Sequence, residues 1–316
     1  MRKEFSAEMT WGQVITGQLV DATADLQVPG ALSHRLAVDG YAFLPGLVPA
    51  ADIAGLREQV LSRIAGLGWL EEGSDPAEAR PGTAPVVPYE DERWWEGYVA
   101  IQELEDFHAL AHHPSIRAVM ASVVDPELLV QPLKIARVTY PSTDYPTPAH
   151  QDFYFVRGAY DVFTAWIPLA DCPIDLGGLH VLAGSHREGL KGVVPARGAG
   201  GIAAEVPDGV TWLTTDYRAG DVLMFHSLLV HFAPANHGER LRLSADFRYQ
   251  SSRDPIVTAA LLPHEFGNGR VPGWQQLSRS WSSAHCIEVP AGIRLASWRP
   301  EAEEPVPSRL LAGRTL

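Results

Sequence analysis

The sequence predicts a mainly β fold with flanking helices, an antiparallel barrel or sandwich preceded by a helical segment. From Leu128 to Gln250 the chain breaks into short β-type runs, LLVQPLKIARVTY, VFTAWIPLA, LHVLAG, VTWLTTDY, DVLMFH and LRLSADFRYQ, punctuated by Gly, Pro and Asp. Before them, apolar residues recur at helical spacing. With 46% apolar and 20% charged residues, the 316-residue chain can bury a substantial core and is neither a disordered tail nor a collagen-like repeat.

Residues 40–46, GYAFLPG, read as a short strand. Pro49 then opens a helix whose Ile53, Leu56, Val60 and Ile64 share one face and whose end is marked by Gly66 and Gly68. From about 71 to 96 the text, EEGSDPAEARPGTAPVVPYEDERWWE, has no period and is rich in Pro, Gly and acid. A loop of that length reads as a lid or mobile flap. Helical spacing returns over 99–111 and again after Pro114, where Ile116, Val119, Met120 and Val123 form a stripe. A single domain over 1–316 is expected: a helical N-terminal part (1–127), a β core (128–250) and an extension (251–316) that packs on the core.

The formal net charge is −13, and it is uneven: residues 1–130 carry −12, residues 131–254 carry −2 and residues 255–316 carry +1. No Lys/Arg cluster offsets this field, which excludes nucleic acid and anionic membrane surfaces as partners. The N-terminus MRKEFSAEMTWGQV lacks the apolar stretch of a signal peptide, and no run approaches the roughly 20 apolar residues of a membrane span. A soluble, cytoplasmic protein acting on a small molecule is the expectation. Its two cysteines, Cys172 and Cys286, exclude a disulfide framework or a four-cysteine zinc site. Any bound metal must therefore use nitrogen and oxygen ligands, which suits catalytic iron, manganese or zinc.

The sharpest local signal is Pro148-Ala149-His150-Gln151-Asp152. On a strand, His150 and Asp152 share one face, where they offer a metal two adjacent ligands, and Gln151 faces the other way. Further on, AGDVLMFHSLLVHFAPANHGERLRLSADFRY supplies two more histidines, His226 and His231, and then a two-faced strand. Arg242, Ser244, Asp246 and Arg248 lie on one face; Leu241, Leu243, Ala245 and Phe247 lie on the other. The polar face lines a cavity or solvent, and the apolar one packs.

These pieces, with TAWIPLAD and GGLHVLAGSH between 164 and 186 and HFAPANHGERLRLS at 231–244, resemble the phytanoyl-CoA dioxygenase family of iron(II) and 2-oxoglutarate-dependent oxygenases. The resemblance spans roughly residues 35–250. It implies a double-stranded β-helix (jelly-roll, cupin-like) core and a catalytic metal site of His150, Asp152 and His231. In this family the distal histidine precedes the 2-oxoglutarate-binding arginine by eleven positions, a count that runs from His231 to Arg242, whereas from His226 it lands on His237. His231 and Arg242 are thus preferred to His226 and Arg240. Ser244, two residues on, is placed to join Arg242 on the distal carboxylate of 2-oxoglutarate. Trp166 and Gln151 match positions near that co-substrate, and Arg137, Phe153, Tyr154 and Trp212 are candidates for the substrate pocket.

The implied cofactors are iron(II), 2-oxoglutarate and O2, two imidazoles and a carboxylate being the facial triad of non-haem oxygenases. The implied reaction decarboxylates 2-oxoglutarate to succinate while hydroxylating a C–H bond of a small or medium organic molecule, such as a natural-product intermediate. Desaturation, epoxidation or rearrangement are alternative outcomes, and a cupin-like enzyme without 2-oxoglutarate or a non-catalytic β-helix binding protein are rival readings. Asp152 disfavours halogenation, which in related enzymes requires a small residue at that position. His186 reads as structural, and His180 as an ordinary satisfied or exposed histidine. The glycines at 198, 200 and 201 read as a loop, not a dinucleotide fingerprint. Residues 69–106 alone carry −9. Closed over the pocket mouth, that segment would disfavour a polyanionic coenzyme A thioester and favour a neutral or cationic substrate.

Overall fold

A computed structural model describes residues 15–141, 144–296 and 308–311. The β-type runs form strands β1 (Ile15–Gln18), β2 (Tyr41–Leu44), β3 (Leu128–Thr139), β4 (Thr147–His150), β5 (Phe163–Pro168), β6 (His180–Val181), β7 (Val193–Pro195), β8 (Ile202–Ala204), β9 (Thr211–Thr214), β10 (Val222–His226), β11 (His231–Ala233) and β12 (Arg242–Ser251). Ten of them make two five-stranded sheets, ordered β1-β9-β6-β11-β4 and β2-β10-β5-β12-β3. All neighbours in these sheets are antiparallel except β1 and β9. From β3 to β6 and from β9 to β12 the chain changes sheet at each step, which is the double-stranded β-helix the resemblance implied. The N-terminal part is not purely helical, because β1 and β2 complete one edge of each sheet.

The helices are α1 (Ala31–Asp39), α2 (Ala50–Ala65), α3 (Glu92–Gln102), α4 (Glu105–Leu110), α5 (Pro114–Val123), α6 (Phe153–Val156) and α7 (Trp274–Leu277). In α2 the expected stripe Ile53, Leu56, Val60 and Ile64 is buried, and the helix ends at Gly66, whose N–H bonds Ser62 O. The helix expected over 99–111 is two helices, and the first begins at Glu92. Asp91 sets that start: its carboxylate accepts the Arg93 backbone N–H at 2.9 Å, and Trp94, Trp95, Tyr98 and Ile101 follow as the buried face. The aromatic pair of the acidic segment thus belongs to a helix, not to the loop.

Helices α2 to α5 bury their apolar faces with Ala165, Ile167, Leu243, Ala245 and Phe247 on the outside of the second sheet. The alternate residues of β12 must then point inward. All ten residues of β12 are buried, so its polar face lines an interior and not solvent. Beyond β12 the extension adds the strand pair β13 (Ile256–Val257) and β14 (Leu295–Ala296) and docks on helices and sheet. Lys134 Nζ donates to Cys286 O at 2.9 Å, and Trp281 Nε1 donates to Glu103 O at 2.9 Å. Among the described residues no helix is long and apolar enough to cross a membrane.

Candidate active site

Strand β4 stops at His150, and Asp152 already has helical backbone (φ −56°, ψ −28°) at the head of α6. The expectation that His150 and Asp152 meet by strand alternation is therefore corrected. They converge because the chain turns, with Asp152 O accepting the N–H of Phe155 at 2.8 Å. The second imidazole comes from β11, where His231 lies directly across from His150 and the ring centroids are 4.2 Å apart. Asp152 Oδ1 stands 3.6 Å from His150 Nε2 and 3.9 Å from His231 Nε2. One ligand atom from each of the three buried residues lies within 4.8 Å of the others.

The tautomers follow from the backbone. His150 Nδ1 faces Pro148 O at 2.8 Å and His231 Nδ1 faces Leu229 O at 3.0 Å. A carbonyl only accepts, so both Nδ1 atoms carry the proton and both Nε2 lone pairs turn to Asp152. Burial, reinforced by the neighbouring His150, pushes His231 down to about 3 and keeps it neutral. Burial works to raise Asp152, but the Arg248 guanidinium beside it outweighs this and holds its carboxyl well below the usual range. Two neutral nitrogens and one carboxylate oxygen, each oriented by a further hydrogen bond, fit a divalent first-row metal.

Two further residues support Asp152. Thr164 Oγ1 donates to Oδ2 at 2.5 Å, and Arg248 Nη2 donates to Oδ1 at 3.0 Å. They are cross-strand partners on β5 and β12. The polar face of β12 had signalled Arg248; nothing in the sequence singled out Thr164.

On the other side of the same cavity, Arg242 Nη2 donates to Thr139 Oγ1 at 3.0 Å and Nη1 donates to Gly177 O. Gly177 has φ +79°, and a Cβ there would sit 2.5 Å from Pro234 O, so only glycine lets this carbonyl reach the guanidinium. Arg242 Nε, Ser244 Oγ and Trp166 Nε1 are buried without a hydrogen-bond partner among the described residues, and of the three residues Arg242 lines the cavity. Orphaned donors of this kind, beside a buried guanidinium, fit a carboxylate ligand such as 2-oxoglutarate.

The remaining candidates divide. Arg137 lines the cavity and donates from Nε to Asp246 Oδ2 at 2.6 Å. Gln151 is tied to the backbone instead: Nε2 donates to Leu228 O (2.7 Å) and Gly189 O (2.9 Å), and Oε1 accepts from Lys191 N (2.8 Å). Phe153 packs on Tyr160 at 4.6 Å, Tyr154 donates its hydroxyl to Lys191 O, and Trp212 packs edge-on to Phe232 at 4.6 Å. None of these three lines the cavity of the triad. His226 accepts the Leu228 N–H on Nδ1 and donates from Nε2 to Asp161 at 3.2 Å, outside the triad. His180 stacks on Phe232 and is satisfied by Gly178 O.

The acidic loop reaches the site with other residues than its acids. Pro88 and Tyr89, with Trp94 of α3 and Tyr145, wall an adjoining cavity that shares Arg137, Thr147 and Arg242 with the first. Glu71 and Glu78 are about half exposed and face Arg80 at 3.9 and 2.6 Å.

The phytanoyl-CoA dioxygenase family model matches residues 36–244. Among relatives, a 1-deoxypentalenic acid 11-beta-hydroxylase of Streptomyces exfoliatus is 29% identical over 263 residues, covering 77% of this chain and 89% of its own. The enzyme of the same name from Streptomyces arenae is 28% identical over 273 residues, covering 77% and 88%. Among solved structures, the epimerase SnoN, in complex with Fe3+, alpha ketoglutarate and nogalamycin RO, superposes with a TM-score of 0.53 at 24% identity, covering 73% of this chain and 87% of its own. The carbocyclase SnoK of nogalamycin biosynthesis superposes with a TM-score of 0.50 at 20% identity, covering 76% and 89%. These two structures share the fold. Matched by the family model along most of its length, the chain belongs to the phytanoyl-CoA dioxygenase family and is an oxygenase that uses iron, 2-oxoglutarate and O2.

Proposed function

We propose that the enzyme hydroxylates an unactivated C–H bond of a small or medium natural-product-like molecule, converting 2-oxoglutarate to succinate and carbon dioxide. The two hydroxylase relatives support this outcome over epimerisation or ring closure, whose solved examples share only the fold. His150, Asp152 and His231 hold the iron, with both Nε2 atoms and Asp152 Oδ1 turned to one point. Bound there with 2-oxoglutarate, iron supplies the activation of dioxygen. Arg242 and Ser244 receive the distal carboxylate of the co-substrate, and Thr164 keeps the Asp152 carboxylate oriented. Burial of all these groups excludes water from the reacting centre.

The observation that carries this reading is that the triad and Arg242 line one cavity, with the Ser244 hydroxyl buried and without a partner among the described residues, two residues along the same strand. It is tested by adding 2-oxoglutarate anaerobically to the iron(II) protein. A metal-to-ligand charge-transfer absorption is expected in the wild type and lost in His150→Ala and Asp152→Ala. Its absence in the wild type sinks the assignment. Product mass and succinate yield with 1-deoxypentalenic acid as first substrate then separate hydroxylation from desaturation or rearrangement.

A further inference from the structure

The lining of the inner cavity holds three guanidiniums, Arg137, Arg242 and Arg248, and two carboxylates, Asp152 and Asp246. Arg248 pairs with Asp152 at 3.0 Å and Arg137 pairs with Asp246 at 2.6 Å. Among the described residues Arg242 donates to neutral oxygens, those of Gly177 and Thr139. On the reading proposed above, iron(II) and the 2-oxoglutarate dianion bind together and cancel. The lining then keeps one positive charge in excess, and a buried cation needs an anion. Among the described residues nothing nearby supplies it: His264 is pushed by burial to about 3 and stays neutral, and Glu265 faces His264 and Asn268 and does not line the cavity.

Arg137 is where the anion fits. Its Nε is taken by Asp246, whereas Nη1 and Nη2 have no hydrogen-bond partner among the described residues. It lies across from Ser244 in the β3–β12 register and lines both cavities, so its free edge stands where the triad chamber meets the wall of Tyr89, Trp94 and Tyr145. A guanidinium with two parallel N–H groups free is a bidentate carboxylate receptor.

We propose that the substrate is a monocarboxylate: its carboxylate binds Nη1 and Nη2 of Arg137, and its apolar body lies against Tyr89, Trp94 and Tyr145. This replaces the neutral or cationic substrate expected from the charge of the acidic loop. The acids Glu71 and Glu78 are engaged with Arg80, and the loop residues that reach the cavity are Pro88 and Tyr89. A coenzyme A thioester stays disfavoured, since it brings several negative charges to a site short of one.

The test uses the iron(II) protein loaded anaerobically with 2-oxoglutarate. The ligands are 1-deoxypentalenic acid and cyclohexanecarboxylic acid, each beside its methyl ester, with binding read by calorimetry and by change in the charge-transfer band. Each acid is expected to bind about tenfold or more tightly than its ester, the difference made by a charge-assisted hydrogen bond. In Arg137→Gln combined with Asp246→Asn, which removes both partners and leaves the net charge of the lining unchanged, the part of the acid preference made by the fork is lost, so the preference falls sharply, and the 2-oxoglutarate band stays. Arg137→Lys, which keeps the pair with Asp246 but loses the fork, shows a reduced preference. Equal binding of acid and ester, or no saturable binding of either acid, overturns the proposal. So does a weakened 2-oxoglutarate complex in the double variant, which would put Arg137 on the co-substrate. A wild type with no 2-oxoglutarate band would instead be a failure of the underlying site assignment.

Discussion

Arg248 donates to the same oxygen of Asp152, Oδ1, that faces the Nε2 atoms of His150 and His231. Thr164 holds the opposite oxygen, Oδ2. The two supports therefore act on a metal in opposite senses. Thr164 fixes the carboxylate without competing for the ligand atom, and its loss in Thr164→Val is expected to weaken metal binding about tenfold. Arg248 is a cation on the ligand atom itself, so Arg248→Met is expected to tighten binding of a divalent ion. Anaerobic titration with iron(II) or manganese(II) reads both, and weaker binding in both variants would show that Arg248 also serves mainly to orient.

The Arg242–Ser244 cradle predicts a graded response to 2-oxoglutarate. Arg242→Met removes a buried charge-assisted partner and should cost on the order of 2 to 5 kcal/mol in co-substrate binding. Arg242→Lys is expected to recover little of that, because an ammonium cannot reproduce the fork. Ser244→Ala, which removes one neutral hydroxyl, should cost about 1 kcal/mol. Titration of the charge-transfer band ranks the three. Equal affinities in Arg242→Met and wild type would move the co-substrate elsewhere and favour a cupin-like chemistry.

Periodicity made the fold legible: the two-faced run from Leu241 to Arg248 became the inner wall of the cavity, and the stripe of α2 became buried packing. It misread the passage around His150. Strand alternation is a property of extended backbone, and no pattern in five residues announces that the strand ends one residue before Gln151. The acidic segment misled for a related reason. Its charges dominate the composition, yet Trp94, Trp95 and Tyr98 set its structure, and their helical spacing is too short a stretch to stand out. Thr164 was invisible because its role exists only through the β5–β12 register, a contact between residues far apart in sequence.

Gln151, matched by the family pattern, is expected to matter for stability and not for the metal. Its side chain joins the backbone of Gly189, Lys191 and Leu228 in a fully buried position. Gln151→Ala leaves the buried Leu228 carbonyl and the part-buried Gly189 carbonyl and Lys191 N–H without this partner, at about 1 to 3 kcal/mol for a fully buried group left unsatisfied. Denaturant unfolding should show a loss of at least about 2 kcal/mol, while folded protein still binds one metal per chain. A stable variant with lost metal binding would instead place Gln151 at the metal.

Lys134 gives the fold a pH signature. Its ammonium is buried on β3 against three carbonyls, of Gln131, Pro132 and Cys286, with no carboxylate partner among the described residues, and burial pushes its pKa down from 10.5 to about 7. Between those values the unfolded chain holds a proton that the folded chain has released, so stability rises with pH across that window. The slope approaches about 1.4 kcal/mol per pH unit for a single group. Other groups titrate over the same range, and the difference between wild type and Lys134→Met isolates this one. Unfolding free energies measured from pH 7 to 10 should climb more steeply in the wild type than in Lys134→Met, and parallel curves would mean that the folded protein keeps Lys134 charged through its three carbonyls.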